Sequence, residues 1–178
     1  MMPTSTTEST VVTEMEIHSS PDKIFAAITD PEQLSQWWEG ADHWEIDLKP
    51  GGKWRGWGMC NGKVSQVEGE FVEITSPSTL IYTWVSDRRG EPATQVRWDL
   101  QEQGRSTLIT ITHSGFRKQD AQAMKGYAAG WTDVTRSLRS FLYETANETF
   151  AAKKDAQKDS DNQDLRHDDS QDFNQDVK

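Results

Sequence analysis

Alternating apolar and polar residues predict a β-strand near the beginning of the chain. Val11, Met15 and Ile17 share one parity, and Glu14 and Glu16 share the other. Because successive side chains of a strand point to opposite faces, this pattern is typical of a strand with one buried face.

Two short helices are predicted directly after this strand. Ser20 is a good helix N-cap and is followed by Pro21, which suits a first helical turn. Asp30-Pro31 repeats the arrangement, with Gln33 placed to complete a capping box. Apolar residues recur at helical spacing after each cap, namely Ile24, Phe25 and Ile28 in the first segment and Leu34, Trp37 and Trp38 in the second.

The central part of the chain predicts consecutive strands joined by short turns. Asn61-Gly62 is the clearest turn, because both residues tolerate the positive φ of a two-residue hairpin. Parallel strands need long crossover connections, so the short turns favour an antiparallel meander. The predicted strands cover residues 44–48, 53–60, 63–74, 80–85, 96–100 and 107–113.

A long amphipathic helix is predicted after the strands. Its apolar residues recur every three or four positions, and they are Tyr127, Trp131, Val134, Leu138, Phe141 and Leu142. The order of elements favours an α+β fold. In this fold a curved antiparallel sheet of about seven strands wraps around the long C-terminal helix, and two short helices follow the first strand.

Composition separates the two ends of the chain from this region. Residues 151–178 contain eight Asp, five Lys or Arg and almost no large apolar residues, and residues 1–10 are rich in Ser and Thr. Such segments bury too little apolar surface to offset their ordering entropy. We therefore expect one folded domain over residues 11–150, with a disordered N-terminus (1–10) and a disordered acidic tail (151–178).

Charge and cysteine content restrict the cellular setting. The formal net charge is −10, which disfavours binding to nucleic acids. Cys60 is the single cysteine, so no intrachain disulfide forms, as is usual in a reducing compartment. The chain has no basic and apolar leader at its beginning and no apolar run long enough to span a bilayer. These features predict a cytoplasmic protein without a membrane span.

Several short motifs together resemble a known superfamily. They are Ser20-Pro21, Asp30-Pro31 followed by Leu34 and Trp37-Trp38, Pro50-Gly51-Gly52 before Trp54, Gly69 to Ile74 with Pro77, Thr112 to Phe116, and Gly130-Trp131. In this order they resemble the START-like or SRPBCC superfamily, which has the helix-grip fold of the birch-pollen allergen. The resemblance covers roughly residues 11–147 and is nearest to the subfamily named for activators of heat-shock-protein-90 ATPase.

The resemblance implies three classes of function, because the superfamily includes lipid carriers, ligand receptors, aromatase/cyclases and co-chaperone domains. The leading hypothesis is binding of a small hydrophobic or aromatic molecule in an internal cavity. The alternative is a co-chaperone-like protein-interaction module, and the third is a cyclase or hydrolase that uses the cavity. Ligand binding predicts a cavity of a few hundred Å³. An interaction module predicts a filled core and an exposed apolar patch.

Five residues are candidates for the cavity lining. Trp98 and His113 have the inward parity of their predicted strands, Tyr127 and Trp131 lie on the apolar face of the long helix, and Trp38 ends the second short helix. The tryptophans either line a pocket or fill it. His113 either orients a ligand or closes the end of its strand by bonding to a neighbouring loop.

The sequence contains no recognisable catalytic group. None of the four histidines has a second His or a Cys at metal-ligand spacing. Cys60 has no neighbouring base, and no serine lies in a nucleophile-elbow sequence. The sequence therefore predicts neither a catalytic residue nor a metal site, and no cofactor.

Overall fold

One antiparallel sheet and three α-helices form the computed structural model, which describes residues 5–7, 9–88 and 91–167. The strands are β1 (Ser5–Thr7), β2 (Thr10–Ile17), β3 (His43–Ile46), β4 (Lys53–Cys60), β5 (Lys63–Thr75), β6 (Thr79–Ser86), β7 (Thr94–Gln103) and β8 (Ser106–Ser114). The helices are α1 (Pro21–Thr29), α2 (Pro31–Trp37) and α3 (Ala121–His167), and a 3₁₀ turn (Lys118–Asp120) precedes α3.

The strand order is β1-β2-β8-β7-β6-β5-β4-β3, and each neighbouring pair is antiparallel. This confirms the predicted helix-grip α+β fold, with the three-residue β1 added to the seven expected strands. Because directly opposed residues share a face of the sheet, the register places Val11 and Val96 on the same face as His113.

The predicted N-caps begin both short helices, but Gln33 does not complete the predicted capping box, because its side-chain amide donates to Asp30 Oδ2 and not to the backbone. Ser20 Oγ accepts a hydrogen bond from the backbone N–H of Lys23, and Asp30 Oδ1 accepts one from the N–H of Glu32. The indole N–H of Trp37 donates to the carbonyl of Ala27 across 2.9 Å, which holds α2 against α1. The end of α2, and with it the following tryptophan, is thereby fixed beside the sheet.

The predicted hairpin between β4 and β5 is also present. Cys60 pairs with Lys63, and the two intervening residues have positive φ, 51° at Asn61 and 75° at Gly62. These angles are those of a type I′ turn, whose twist matches that of the flanking strands.

The last helix is longer than the sequence predicts. The chain divides into two compact units, residues 1–142 and residues 143–178, and α3 continues through the second unit to His167. We expected disorder from residue 151, and the structure differs over 151–167. Because the sequence has neither Gly nor Pro from Trp131 to His167, nothing interrupts the helical hydrogen bonds. All side chains of residues 151–160 are exposed.

The other expectations of disorder fall partly outside the described residues. Residues 168–178 lie outside them, as do residues 1–4 and 8. Strand β1 and the first residue of β2 lie within the segment 1–10 that we expected to be disordered.

The hydrophobic core of the first unit lies on the sheet face that carries α1, α2 and the first part of α3. Its fully buried members include Ile24, Leu80, Trp98, Ile109 and Leu138. No helix in the described part of the chain is long and apolar enough to cross a membrane.

Candidate functional site

Aromatic side chains fill the space between the sheet and α3. Trp131 is 3% exposed, and its ring centre lies 5.8 Å from that of Trp98 on β7 and 5.8 Å from that of Trp84 on β6. Trp38, directly after α2, packs edge-on against Trp131 at 5.9 Å. Edge-to-face contacts of this kind stabilise an aromatic cluster beyond the burial of its area.

Little empty space remains inside this cluster. The void within it has a volume of about 20 Å³, which is room for about one water molecule. The aromatic cluster therefore contains no cavity of the few hundred Å³ that the leading hypothesis predicts, because aromatic side chains occupy the space. The void is lined by Ile28, Leu34, Trp38, Trp44, Ile46, Trp54, Phe71, Tyr82, Trp84 and Trp98.

An open cleft of about 310 Å³ lies beside the void, between one flank of α3 and the β4–β5 hairpin. This volume is at the lower end of the range for small-molecule sites. Trp38, Trp84, Tyr127 and Trp131 supply its aromatic lining. The remaining lining residues are Glu39, Gly40 and Ala41 after α2, Gly56, Cys60, Ser65, Gln66 and Val67 of the hairpin, Arg88, and Gly126, Gly130, Asp133, Val134 and Ser137 of α3.

Two glycines of α3 add no side chain to the cleft wall, between the other α3 residues that line it. Gly126 and Gly130 are one helical turn apart. A Cβ added at either position would meet no atom within 4 Å other than those of the adjacent residues and of the surrounding helix backbone. At Gly56, by contrast, an added Cβ would come within 2.7 Å of the Trp44 ring. Packing within the chain thus explains the glycine on the hairpin but not the two glycines on the helix.

His113 is wholly buried beneath the cleft. Its Nδ1 accepts a hydrogen bond from the indole N–H of Trp131 at 3.0 Å, and its Nε2 lies 2.6 Å from the hydroxyl of Thr94. Burial lowers the pKa of His113 to about 3, so the ring is neutral at physiological pH. Both ring nitrogens are used within the core, and the imidazole contributes nothing to the cleft surface.

Tyr127 connects the cleft to the segment that follows β6. Its hydroxyl donates to Glu91 Oε2 at 2.7 Å and accepts a hydrogen bond from the indole N–H of Trp84 at 3.2 Å. Burial, together with the hydrogen bond to Glu91, raises the pKa of Tyr127 to about 12. The phenol therefore stays neutral and keeps its ring in the cleft wall.

Charged groups line the cleft only at exposed positions. The side chain of Asp133 is 69% exposed and lies 3.9 Å from Arg136, and that of Arg88 is 69% exposed and lies 3.7 Å from Glu91. Exposed pairs of this kind contribute little to stability. The buried and half-buried part of the lining is uncharged. It combines the aromatic residues with Ala41, Val67 and Val134 and with the neutral polar residues Ser65, Gln66 and Ser137.

A second, larger depression lies mostly over outward-facing side chains of β3 to β6. Its volume is about 640 Å³ and its lining is largely charged. Lys53 pairs with Glu70 at 3.0 Å, and the terminal nitrogen of Arg55 pairs with Glu45 at 2.8 Å, whereas Arg55 Nε is buried without a hydrogen-bond partner among the described residues. Of the predicted site residues, none lines this depression.

The five predicted site residues do not all line the same space. Trp38, Tyr127 and Trp131 line the cleft, whereas Trp98 borders only the void and His113 borders neither space. Trp98 donates its indole N–H to the hydroxyl of Tyr82 at 2.9 Å, and burial raises the pKa of Tyr82 above its ordinary range.

Sequence reasoning missed Trp84 and the two helix glycines. Trp84 has the inward parity of Leu80 and Tyr82, but the apolar Ile81 and Val85 obscure the alternation in β6. Two glycines four residues apart inside a helical pattern were the available signal for this part of the cleft wall.

Most of the chain matches the model of a known protein family. Residues 18–143 match the family described as activator of Hsp90 ATPase homolog 1-like protein. The chain belongs to this family. The match spans α1 to the end of the first compact unit and includes every cleft residue. A comparison with curated proteins gives no match.

Solved structures with the fold of this Hsp90-ATPase-activator-like chain come from several bacteria. Protein NE0264 from Nitrosomonas europaea is similar with a TM-score of 0.69 and 21% identity, over 79% of this chain and 97% of that one. Protein MLL2253 from Mesorhizobium loti gives a TM-score of 0.66 and 24% identity, over 76% and 98%. CalU16 from Micromonospora echinospora gives a TM-score of 0.61 and 21% identity, over 83% of this chain and 84% of that one. At these identities the likeness concerns the fold.

No group of three or more His, Cys, Asp or Glu side chains that could hold a metal ion occurs in the described ranges. The aromatic side chains of the cleft are suited to contact with apolar and aromatic surfaces.

Proposed function

We propose that this protein binds a small apolar or aromatic molecule in the cleft between α3 and the β4–β5 hairpin. The proposal moves the expected ligand from an internal cavity to a surface cleft, because the interior is filled. Trp38, Tyr127 and Trp131, three of the five predicted site residues, line this cleft.

The absence of side chains at Gly126 and Gly130, within the aromatic-lined wall of α3, is the observation that carries the proposal. A glycine inside a helix costs roughly 0.5–1 kcal/mol relative to alanine. Gly126 and Gly130 incur this cost without any contact that an added Cβ would disturb. Both glycines face an aromatic-lined cleft. The space they leave is suited to a molecule that is not part of the chain.

A dye titration with paired variants tests the proposal. A neutral, polarity-sensitive dye such as N-phenyl-naphthylamine should bind saturably to the wild type with increased fluorescence. Gly130→Leu fills the cleft and should weaken binding at least about tenfold, the loss expected when a few buried methylenes are displaced. Ala129→Leu is the matched control, because Ala129 is exposed and does not line the cleft. Equal binding by both variants would contradict the proposal, as would absence of binding to the wild type.

A second candidate function is a protein-interaction module, which the family description favours. The filled core agrees with this alternative, and so does an apolar pair on the β4–β5 hairpin. Met59 and Val64 are directly opposed across the hairpin, and each is 65% exposed. If this pair contacts a chaperone of the Hsp90 type, the double substitution Met59→Ser, Val64→Thr should abolish stimulation of the chaperone's ATPase. Dye binding in the cleft should not change, because neither residue lines it.

A further inference from the structure

Trp38 borders both the surface cleft and the small void. Its side chain is part of the lining of the about 310 Å³ cleft and of the about 20 Å³ void. Its ring centre is 5.9 Å from that of Trp131 in the cleft wall and 5.4 Å from that of Trp44 beside the void. A molecule that entered the core from the cleft would have to take the place of this ring.

Trp84 also borders both spaces, but it is held more firmly than Trp38. Trp84 lies within β6, is 7% exposed and donates its indole N–H to the hydroxyl of Tyr127. Trp38 is half-buried and follows the last residue of α2, outside any strand or helix. Trp38 is therefore the part of the wall whose size determines the depth of the cleft.

We infer that Trp38 restricts the cleft to compact, ring-sized apolar molecules and excludes extended alkyl chains. This inference rests on the proposed function and concerns the class of ligand. A flexible chain that Trp38 keeps out of the core leaves methylenes in water, and each methylene left unburied weakens binding about fourfold. The chain also loses rotational freedom on binding, whereas a fused ring system has little to lose.

Two alcohols with the same number of carbons separate the two ligand classes. They are 2-naphthol, which is compact, and 1-decanol, which is extended, and isothermal titration calorimetry of the full chain measures both affinities. The wild type should bind 2-naphthol at least about tenfold more tightly than 1-decanol. A few methylenes of 1-decanol left in water are enough to cause this difference in affinity.

Shortening Trp38 should remove this selectivity. Trp38→Ala joins the cleft to the void and should tighten 1-decanol binding at least about tenfold. Trp38→Leu, which is less disruptive to packing, should give a smaller gain in the same direction and covers the case in which the alanine variant does not fold. Trp57→Ala is the matched control, because Trp57 lines neither space, and it should leave both affinities unchanged.

Equal affinity of the wild type for the two alcohols would overturn the inference and leave the proposed function standing. So would folded Trp38 variants that gain no affinity for 1-decanol. If neither alcohol bound the wild type or the variants, the proposed function itself would be wrong, and the inference with it.

Discussion

Trp131 donates its indole N–H to Nδ1 of His113 across 3.0 Å, which links α3 to β8. An indole nitrogen can only donate, so Nδ1 must be the unprotonated acceptor of a neutral imidazole. The ring proton therefore lies on Nε2 and is donated to the Thr94 hydroxyl 2.6 Å away. Thr94 in turn donates to the carbonyl oxygen of Trp84 at 3.4 Å. Protonation of Nδ1 would place its N–H opposite the indole N–H of Trp131, so that neither donor would have an acceptor.

This arrangement predicts that the folded protein loses stability at acidic pH. The pKa of His113 is lowered by burial to about 3, from the ordinary value of 6.5 in the unfolded chain. Below pH 6.5 the unfolded chain therefore binds a proton that the folded protein does not. His113 therefore does not lower the free energy of unfolding above about pH 6.5. As the pH falls from about 6.5 toward about 3, protonation of His113 in the unfolded chain lowers the free energy of unfolding by at most about 1.4 kcal/mol per pH unit.

Chemical denaturation at a series of pH values measures this effect. His113→Gln, which keeps a hydrogen-bonding side chain but does not titrate, is the comparison. Below pH 6.5 the free energy of unfolding should fall more steeply for the wild type than for the variant. If the two free energies of unfolding changed in parallel with pH, the pKa of His113 would not be lowered in the folded protein, and the prediction would be wrong.

Trp131 is expected to be a major stabilising residue because it fills the core as well as lining the cleft. Trp131→Ala should cost about 3–5 kcal/mol, as is usual for a buried tryptophan. Trp131→Phe keeps most of the packing but leaves His113 Nδ1 without its donor, which should cost about 1–3 kcal/mol. Urea denaturation measures both values. A loss below about 1 kcal/mol for the alanine variant would be inconsistent with the buried position.

Replacing either glycine of the cleft with alanine is expected to raise the stability of the fold and to weaken ligand binding. Gly126→Ala and Gly130→Ala should each raise the free energy of unfolding by about 0.5–1 kcal/mol, since the added methyl group meets no side chain and no backbone outside its own helix turn. Ala129→Gly, the reverse change one residue away, should lower it by a similar amount. Dye binding should weaken in the first two variants and stay constant in the third. A destabilised Gly→Ala variant would show that the helix backbone is strained there.

The C-terminal part of α3 is expected to be dispensable for folding of the first unit. Every side chain of residues 151–160 is exposed, and the matched family region ends at residue 143. A chain that ends at Phe150 should therefore keep the melting temperature of the full chain to within a few degrees, the range of a change below about 1 kcal/mol. A decrease of many degrees would mean that these residues contact the rest of the protein.

The sequence predicts the fold well because its signals are local. The caps at Ser20 and Asp30, the Asn61-Gly62 turn and the alternation in β7 and β8 each determine one element, and all of them agree with the observed sheet. Parity also predicts that Trp98 and His113 point inward.

The site is predicted less well because it depends on distances between elements. Parity does not show whether an inward side chain meets empty space or another side chain. Trp98 meets Tyr82 and Trp131, and His113 meets Thr94 and Trp131, so both are core residues. The cleft arises from the gap between α3 and the β4–β5 hairpin, which no local pattern specifies.

The most direct test of the ligand-binding cleft is a ¹H–¹⁵N correlation spectrum of the protein titrated with 2-naphthol. The account predicts saturable shifts of the backbone amides of Gly126 and Gly130 and of the indole N–H of Trp38, with no change at Trp57 on the other face of the hairpin. Absence of saturable shifts at the cleft residues, or shifts centred on Trp57 and the outward face of the sheet, would contradict it.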